Sequence, residues 1–165
     1  MQVDFAAKEL TVKLVYYGPA LSGKTSNLRA IHWLATSSTC GELMTLETQN
    51  DRTLFFDMLP ITMDSSSGLK IRLKLFTVPG QVMHDATRRL VLQAADGVAF
   101  IADSQLAEAD ANRESFFNLK KNLEDNGIDP ERIPIIIQFN KRDLDDIRSD
   151  EELAAIASQS REPIY

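Results

Sequence analysis

Apolar and polar positions alternate between two periods along this chain, and the changes of period predict its elements. Leu10 to Tyr17 is a continuous β-branched and aromatic run that stops at Gly18-Pro19, which predicts a fully buried strand ending in a loop. Helical spacing begins near Lys24, and Leu28, Ile31 and Leu34 recur by threes between Ser26 and Ala35, as in a helix packed on a sheet. Two strand-like runs, Thr53 to Met63 and Leu69 to Val78, flank the turn-rich segment from Asp64 to Gly68 and predict an antiparallel hairpin. Val82 to Ala95 reads as a helix with Met83, Ala86, Leu90 and Ala94 inward, ended by Asp96-Gly97. Val98 to Ala102 then reads as a buried strand, Ala109 to Asn126 as a helix burying Phe116, Leu119 and Leu123 and stopping at Gly127, Ile133 to Asn140 as another buried strand, and Asp150 to Ser158 as a short acidic helix. Strands alternating with helices predict an α/β fold, a largely parallel sheet with one antiparallel hairpin and helices on both faces. No internal repeat or low-complexity segment stands out.

Composition narrows the class. With 165 residues, 44% of them apolar and 25% charged, the chain has the size and balance of one globular domain. Its single cysteine, Cys40, excludes an internal disulfide and a multi-cysteine zinc site, so the cytoplasm is the default location. Apolar runs such as Val98 to Ala102 fall far short of the roughly 18–20 residues that cross a bilayer. The first ten residues lack the basic and apolar regions of a signal peptide, position 2 is Gln rather than a myristoylated Gly, and the last five residues hold no prenylatable Cys. A direct membrane anchor is therefore not expected, and any membrane role would go through a partner.

The net charge of −6 argues against a broad grip on nucleic acid, which needs clustered Lys and Arg. Residues 1–101 hold 10 basic and 9 acidic side chains against 8 and 15 in residues 102–165, so anionic phosphate is cheaper to bind in the first half.

Three short motifs carry the candidate chemistry. Gly18-Pro-Ala-Leu-Ser-Gly23-Lys24-Thr25 matches G-x-x-x-x-G-K-[ST], between a predicted strand and a predicted helix. Glycines there let backbone N–H groups wrap phosphate oxygens, with Lys24 reaching the β and γ phosphates and Thr25 ligating Mg²⁺. Gly18, Ala20, Leu21, Ser22, Gly23, Lys24, Thr25 and Ser26 are the candidate nucleotide contacts in this loop. The competing explanation is a Gly-rich turn with an exposed Lys, and a chance match in a chain this size has a probability well under about 1%.

Asn140-Lys141-Arg142-Asp143 follows a predicted strand more than a hundred residues later. An acid in that loop can accept both guanine donors, N1–H and the 2-amino group, a pattern adenine lacks, while Asn140 can bond the base edge or hold the loop. Alone it could equally be a polar strand-to-helix turn; after a phosphate loop, Asn140, Lys141 and Asp143 point to GTP. Thr77-Val-Pro-Gly80-Gln81 follows the second hairpin strand. Gly80 can bring its N–H to a γ-phosphate and Gln81 can orient an attacking water, although a bare Pro-Gly turn would read the same without the other motifs.

In this order, GPALSGKT, TVPGQV and NKRD resemble a Ras-like small GTPase. The longer strings KLVYYGPALSGKTSNL, DRTLFFDMLP, LFTVPGQV and IQFNKRDL resemble, more narrowly, the MglA family of bacterial small GTPases, from about residue 12 onward. The resemblance implies a GTP/GDP switch in cell polarity or motility, with a roadblock-type (MglB-like) partner that activates hydrolysis. It implies that Thr53 meets Mg²⁺ and γ-phosphate and that Arg52 is a built-in arginine finger, where the residues alone would give a solvated loop Arg. A cation so placed is worth up to ~10³–10⁵ in rate where it operates.

Where Ras-like proteins carry the Asp of D-x-x-G, this chain has Thr77, as the MglA family does, and a neutral hydroxyl holds a metal's water more weakly. Asp103 could substitute from an adjacent strand, or could simply cap the segment that follows. His84 reads as a surface helix residue, and His32 and Trp33 as packing residues with one polar edge exposed. Cys40 has no neighbouring base to make it a nucleophile. Pro163-Ile-Tyr165 looks like the start of a sixth strand, so the single domain, residues 1–165, is expected to stop about a strand and a helix short of a closed Ras-like fold. A non-hydrolysing nucleotide-binding interaction module is the rival function; a small-molecule kinase is disfavoured by N-K-R-D and the lack of an obvious lid insertion.

Overall fold

The computed structural model describes residues 1–35, 39–46, 56–79 and 85–165. Among the described residues seven strands form one sheet: β1 (Gln2–Asp4), β2 (Glu9–Tyr17), β3 (Met44–Leu46), β4 (Phe56–Asp64), β5 (Lys70–Thr77), β6 (Gly97–Asp103) and β7 (Ile135–Asn140). The α-helices of the described residues are α1 (Lys24–Leu34), α2 (Asp85–Leu92), α3 (Ala109–Asp125) and α4 (Asp150–Gln159). The strand order is β3-β4-β5-β2-β6-β7, with β1 pairing β2 off this path. β5, β2, β6 and β7 are mutually parallel, while β4 runs antiparallel to β5 and to β3. The fold is α/β as expected, with the hairpin at β4 and β5. The two short strands β1 and β3 had no sequence signal, being three residues each.

Alternation along β2 divides the core. Val15 and Tyr17 face a cluster built with Val91 and Leu92 of α2, Leu119 and Leu123 of α3, and Phe100 of β6. Leu14 and Tyr16 face the opposite way, toward Leu28 of α1, Leu59 of β4 and Leu75 of β5. Helices thus cover both faces, since successive strand side chains point to opposite sides. No helix among the described residues is long and apolar enough to cross a membrane.

Several local expectations need correction. Of the inward positions expected between Val82 and Ala95, Met83 lies outside the described residues and Ala86, Leu90 and Ala94 are exposed; α2 buries Thr87, Arg88, Val91 and Leu92 instead. Arg88 turns inward because polar groups receive it: its guanidinium donates to Asn118 Oδ1 at 3.0 Å and to the Tyr17 hydroxyl at 3.4 Å. Tyr17 donates in turn to Asn118 Oδ1 at 2.6 Å, and Asn122 Nδ2 donates to the Tyr17 hydroxyl at 3.1 Å. A periodicity argument that counts Arg as outward misplaces the helix face. Leu34, His32 and Trp33, expected to pack, are exposed at the end of α1. β2 buries fully only Val15 and Tyr17, and in β7 only Ile135 is buried, with Ile136 exposed. β7 pairs with β6 along one edge, and along the other Ile137 makes an isolated parallel bridge to Ile164.

Replacing the fully buried Leu92 with Ala should cost about 2–5 kcal/mol of unfolding free energy, through lost transfer energy plus a cavity. The same change at exposed Leu34 should stay within about 0.5 kcal/mol. Urea denaturation of the two variants tests the assignment of helix faces.

Candidate functional site

Four parallel strands end on the same side of the sheet, and each delivers a candidate residue there: Tyr17 into Gly18, Thr77, Asp103, and Asn140. Ligand sites of open α/β sheets form at these carboxyl ends. The loop from β2 to α1 turns through Gly18 at φ +144° and Gly23 at φ +97°. A Cβ on Gly18 would collide with the Ile101 carbonyl oxygen, and one on Gly23 with the Asn140 side-chain amide. Between them Leu21 holds φ +60°, a left-handed conformation that costs a non-glycine residue roughly 1–2 kcal/mol. Its side chain is exposed at the mouth of a cavity of about 400 Å³.

Gly23 caps α1 without a side-chain hydrogen bond, and the first turn of the helix contains no acid. The first turn of that helix lines the cavity, so its N–H groups and positive end suit an anion there, beside the Asp57 carboxylate bonded to Thr25. Lys24 is buried, and its Nζ donates to the carbonyls of Gly18 at 3.0 Å and Pro19 at 2.5 Å. Burial, and secondarily the nearby Arg88 charge, lower its pKa to about 8. Ser22 Oγ is fully buried and has no hydrogen-bond partner among the described residues.

Leu21, Gly23, Lys24, Thr25 and Ser26 line the cavity on one side, and Phe56, Asp57, Thr77, Val78 and Pro79 on the other. Asp57 was missed in the sequence. It lies on β4 in alternation with buried Leu59, the strand face turned toward α1, and an acid at an inward strand position is the signal that would have found it. Its carboxylate accepts from the hydroxyls of Thr25 at 2.6 Å, Thr45 at 2.9 Å and Thr77 at 3.0 Å, and its backbone N–H donates to Thr77 Oγ1 at 2.9 Å.

The N-K-R-D loop joins the same edge. Asn140 Nδ2 donates to the Ser22 carbonyl at 2.8 Å, so of its two sequence readings the structure displays the brace on the phosphate loop. A second brace runs beside it, from Gln138 Nε2 to Asn27 Oδ1 at 3.0 Å and from Asn27 Nδ2 to the Gly23 carbonyl at 3.0 Å. Lys141 reaches Asp103 at 2.5 Å, where that carboxylate is buried and also accepts the Gln105 N–H. Of the two readings of Asp103, the structure displays the cap on the following segment, through the Gln105 N–H, with the carboxylate also bound to Lys141. Asp143 is exposed in the loop, clear of the phosphate-loop cavity. Ala20 is exposed on the phosphate loop. Arg52, Thr53, Gly80, Gln81 and His84 lie outside the described residues. Burial pushes the Cys40 thiol up, away from reactivity.

No protein-family model matches the chain. It is 45% identical over 163 residues, 99% of its length and 84% of the relative's, to the mutual gliding-motility protein MglA of Myxococcus xanthus (strain DK1622). Identity at that level, sustained across nearly the whole chain, goes well beyond a shared fold, and the chain belongs to the MglA family.

Proposed function

We propose that this chain is one small GTPase domain, a switch that binds GTP and hydrolyses it slowly to GDP and phosphate. The observation that carries the reading is the bond from Asn140 to the Ser22 carbonyl, which joins a base-selecting loop to a phosphate loop at one sheet edge. Supporting it, Lys24 and the N-terminus of α1, whose first turn carries no acid, present positive charge to the cavity where triphosphate would lie. Asp143, exposed beyond the brace, would accept the two guanine donors, and Lys141 would complete that loop's contact with the nucleotide. The relative's name supports a role in gliding motility, and a roadblock-type (MglB-like) activator and a cytoplasmic location complete the proposal.

Hydrolysis needs a water positioned in line with the γ-phosphorus. Its oxygen forms the new P–O bond as the bond to GDP breaks, one of the water's protons stays on the phosphate and the other passes to solvent, and the negative charge ends on GDP and free phosphate. In this reading Gln81 and Gly80 position the water and the γ-phosphate, Arg52 stabilises the charge developing in transfer, and Thr53 senses the γ-phosphate. Lys24, Thr25, Ser26 and the backbone of Gly18, Ala20, Leu21, Ser22 and Gly23 hold the phosphates. Mg²⁺ is a hard cation that takes oxygen ligands, and the Thr25 hydroxyl on the cavity wall beside a carboxylate fits it, with Thr53 as a second ligand. When bound, the ion neutralises phosphate charge.

GTP should displace labelled GDP while ATP should not, and Asp143→Ala should erode that preference; equal competition by ATP in wild type would refute the guanine assignment. Single-turnover phosphate release should be slow and accelerated by an activator. No release with or without one would leave a binding module rather than an enzyme.

The pH dependence follows from Lys24. Phosphate favours its charged form, so binding takes up a proton once free Lys24 begins to lose it near pH 8. Nucleotide affinity should therefore be level below about pH 7 and fall as pH rises past 8, by approaching tenfold per pH unit at the steepest. Titration calorimetry in buffers of different ionisation enthalpy reads the proton directly.

A further inference from the structure

Resting on the nucleotide-and-magnesium reading above, the geometry points to Asp57 as the carboxylate of the metal site, which this fold holds on β4 while the facing position of β5 is the neutral Thr77. The register shows the exchange. Thr45 of β3 pairs with Asp57, and Met58 of β4 pairs with Phe76 of β5, which brings Asp57 opposite Thr77. Residues opposed across a sheet project on the same side. Thr45, Asp57 and Thr77 therefore form a transverse row, and the hydrogen bonds among them confirm it. The row meets α1 at Thr25, whose hydroxyl lies 2.6 Å from the Asp57 carboxylate.

Two physical consequences follow. A buried carboxylate is costly unless its oxygens are bonded, and here three hydroxyls bond them, one on Oδ1 and two on Oδ2. Because the Thr25 hydrogen points at Asp57, the hydroxyl's lone pairs are turned away from the carboxylate and are free to meet a cation. A carboxylate that orients a ligand in this way raises its basicity and fixes its direction. Asp57 also lines the cavity itself, so water around a cation can reach it, whereas Asp103 is bound to Lys141 elsewhere. The missing D-x-x-G acid is thus replaced from the neighbouring strand at the same level along the sheet.

The test loads the full chain with fluorescently labelled GDP and measures its release against Mg²⁺ concentration. For wild type, release should be slow in excess Mg²⁺ and fast in chelator. Asp57→Asn should raise the Mg²⁺ concentration giving half-maximal slowing by about tenfold or more while leaving release in chelator unchanged. Adding Thr77→Asp to that variant should bring the midpoint back to within about threefold of wild type. A midpoint for Asp57→Asn within about twofold of wild type overturns the inference, as does faster release to the same degree with and without Mg²⁺, which would mark a structural role. If Asp57→Asn does not fold, the exchange of Asp57→Thr with Thr77→Asp replaces it, and a midpoint raised about tenfold overturns the inference. Wild type that holds no GDP, or releases it independently of Mg²⁺, fails at the earlier step and takes this inference with it.

Discussion

The close approach of the β6 backbone and of the Asn140 side chain to the phosphate loop is the constraint on which the site depends. Gly18 must let the Ile101 carbonyl of β6 in, and Gly23 must let the Asn140 amide of β7 in, so the loop is seated by two strands that follow it far along the chain. Neither contact is possible with a Cβ in place. Once the loop is seated, the end of α1 is aimed into the cavity, and Lys24 is held against the loop's own carbonyls. The sheet order does the rest, since parallel strands on either side of β2 end at the same edge.

Of the buried charged side chains among the described residues, Lys24, Arg88 and Asp57 are each received differently. Lys24 bonds to carbonyls of the loop itself and is left with a weakened hold on its proton. Arg88 is received by the hydroxyl and amide groups of Tyr17 and Asn118, which ties α2 to the residue just before Gly18. Asp57 is received by hydroxyls from β3, α1 and β5. The last two arrangements bind the neighbours of the phosphate loop through polar contacts, whose geometry is more exacting than apolar packing.

Strands β2 and β6, helix α3 and the phosphate loop were legible because their signals are local: a run of apolar residues, a spacing by threes and fours, glycines at set intervals. The face of α2 was not, because an inward Arg88 depends on Tyr17 and Asn118, which are distant in sequence. β3 and β1 were not, because three-residue strands acquire their structure from pairing. Of the candidate site, the phosphate loop and Asn140 were legible as motifs, while the bond between them was not. Asp57 was passed over because it belongs to no motif.

By itself the sequence determined the kinds of chemistry available: a lysine and glycines for phosphate, an acid for a base edge, and a threonine where related folds place an acid. It also determined the alternation of strands and helices, since hydrophobic periodicity acts over a few residues. Only the tertiary structure decided which groups meet. Register across β3, β4 and β5 placed Asp57 opposite Thr77 and beneath Thr25, and a slip of one residue would have turned the carboxylate to the other face. Pairing register is set by many side chains at once, so no single stretch of chain announces it.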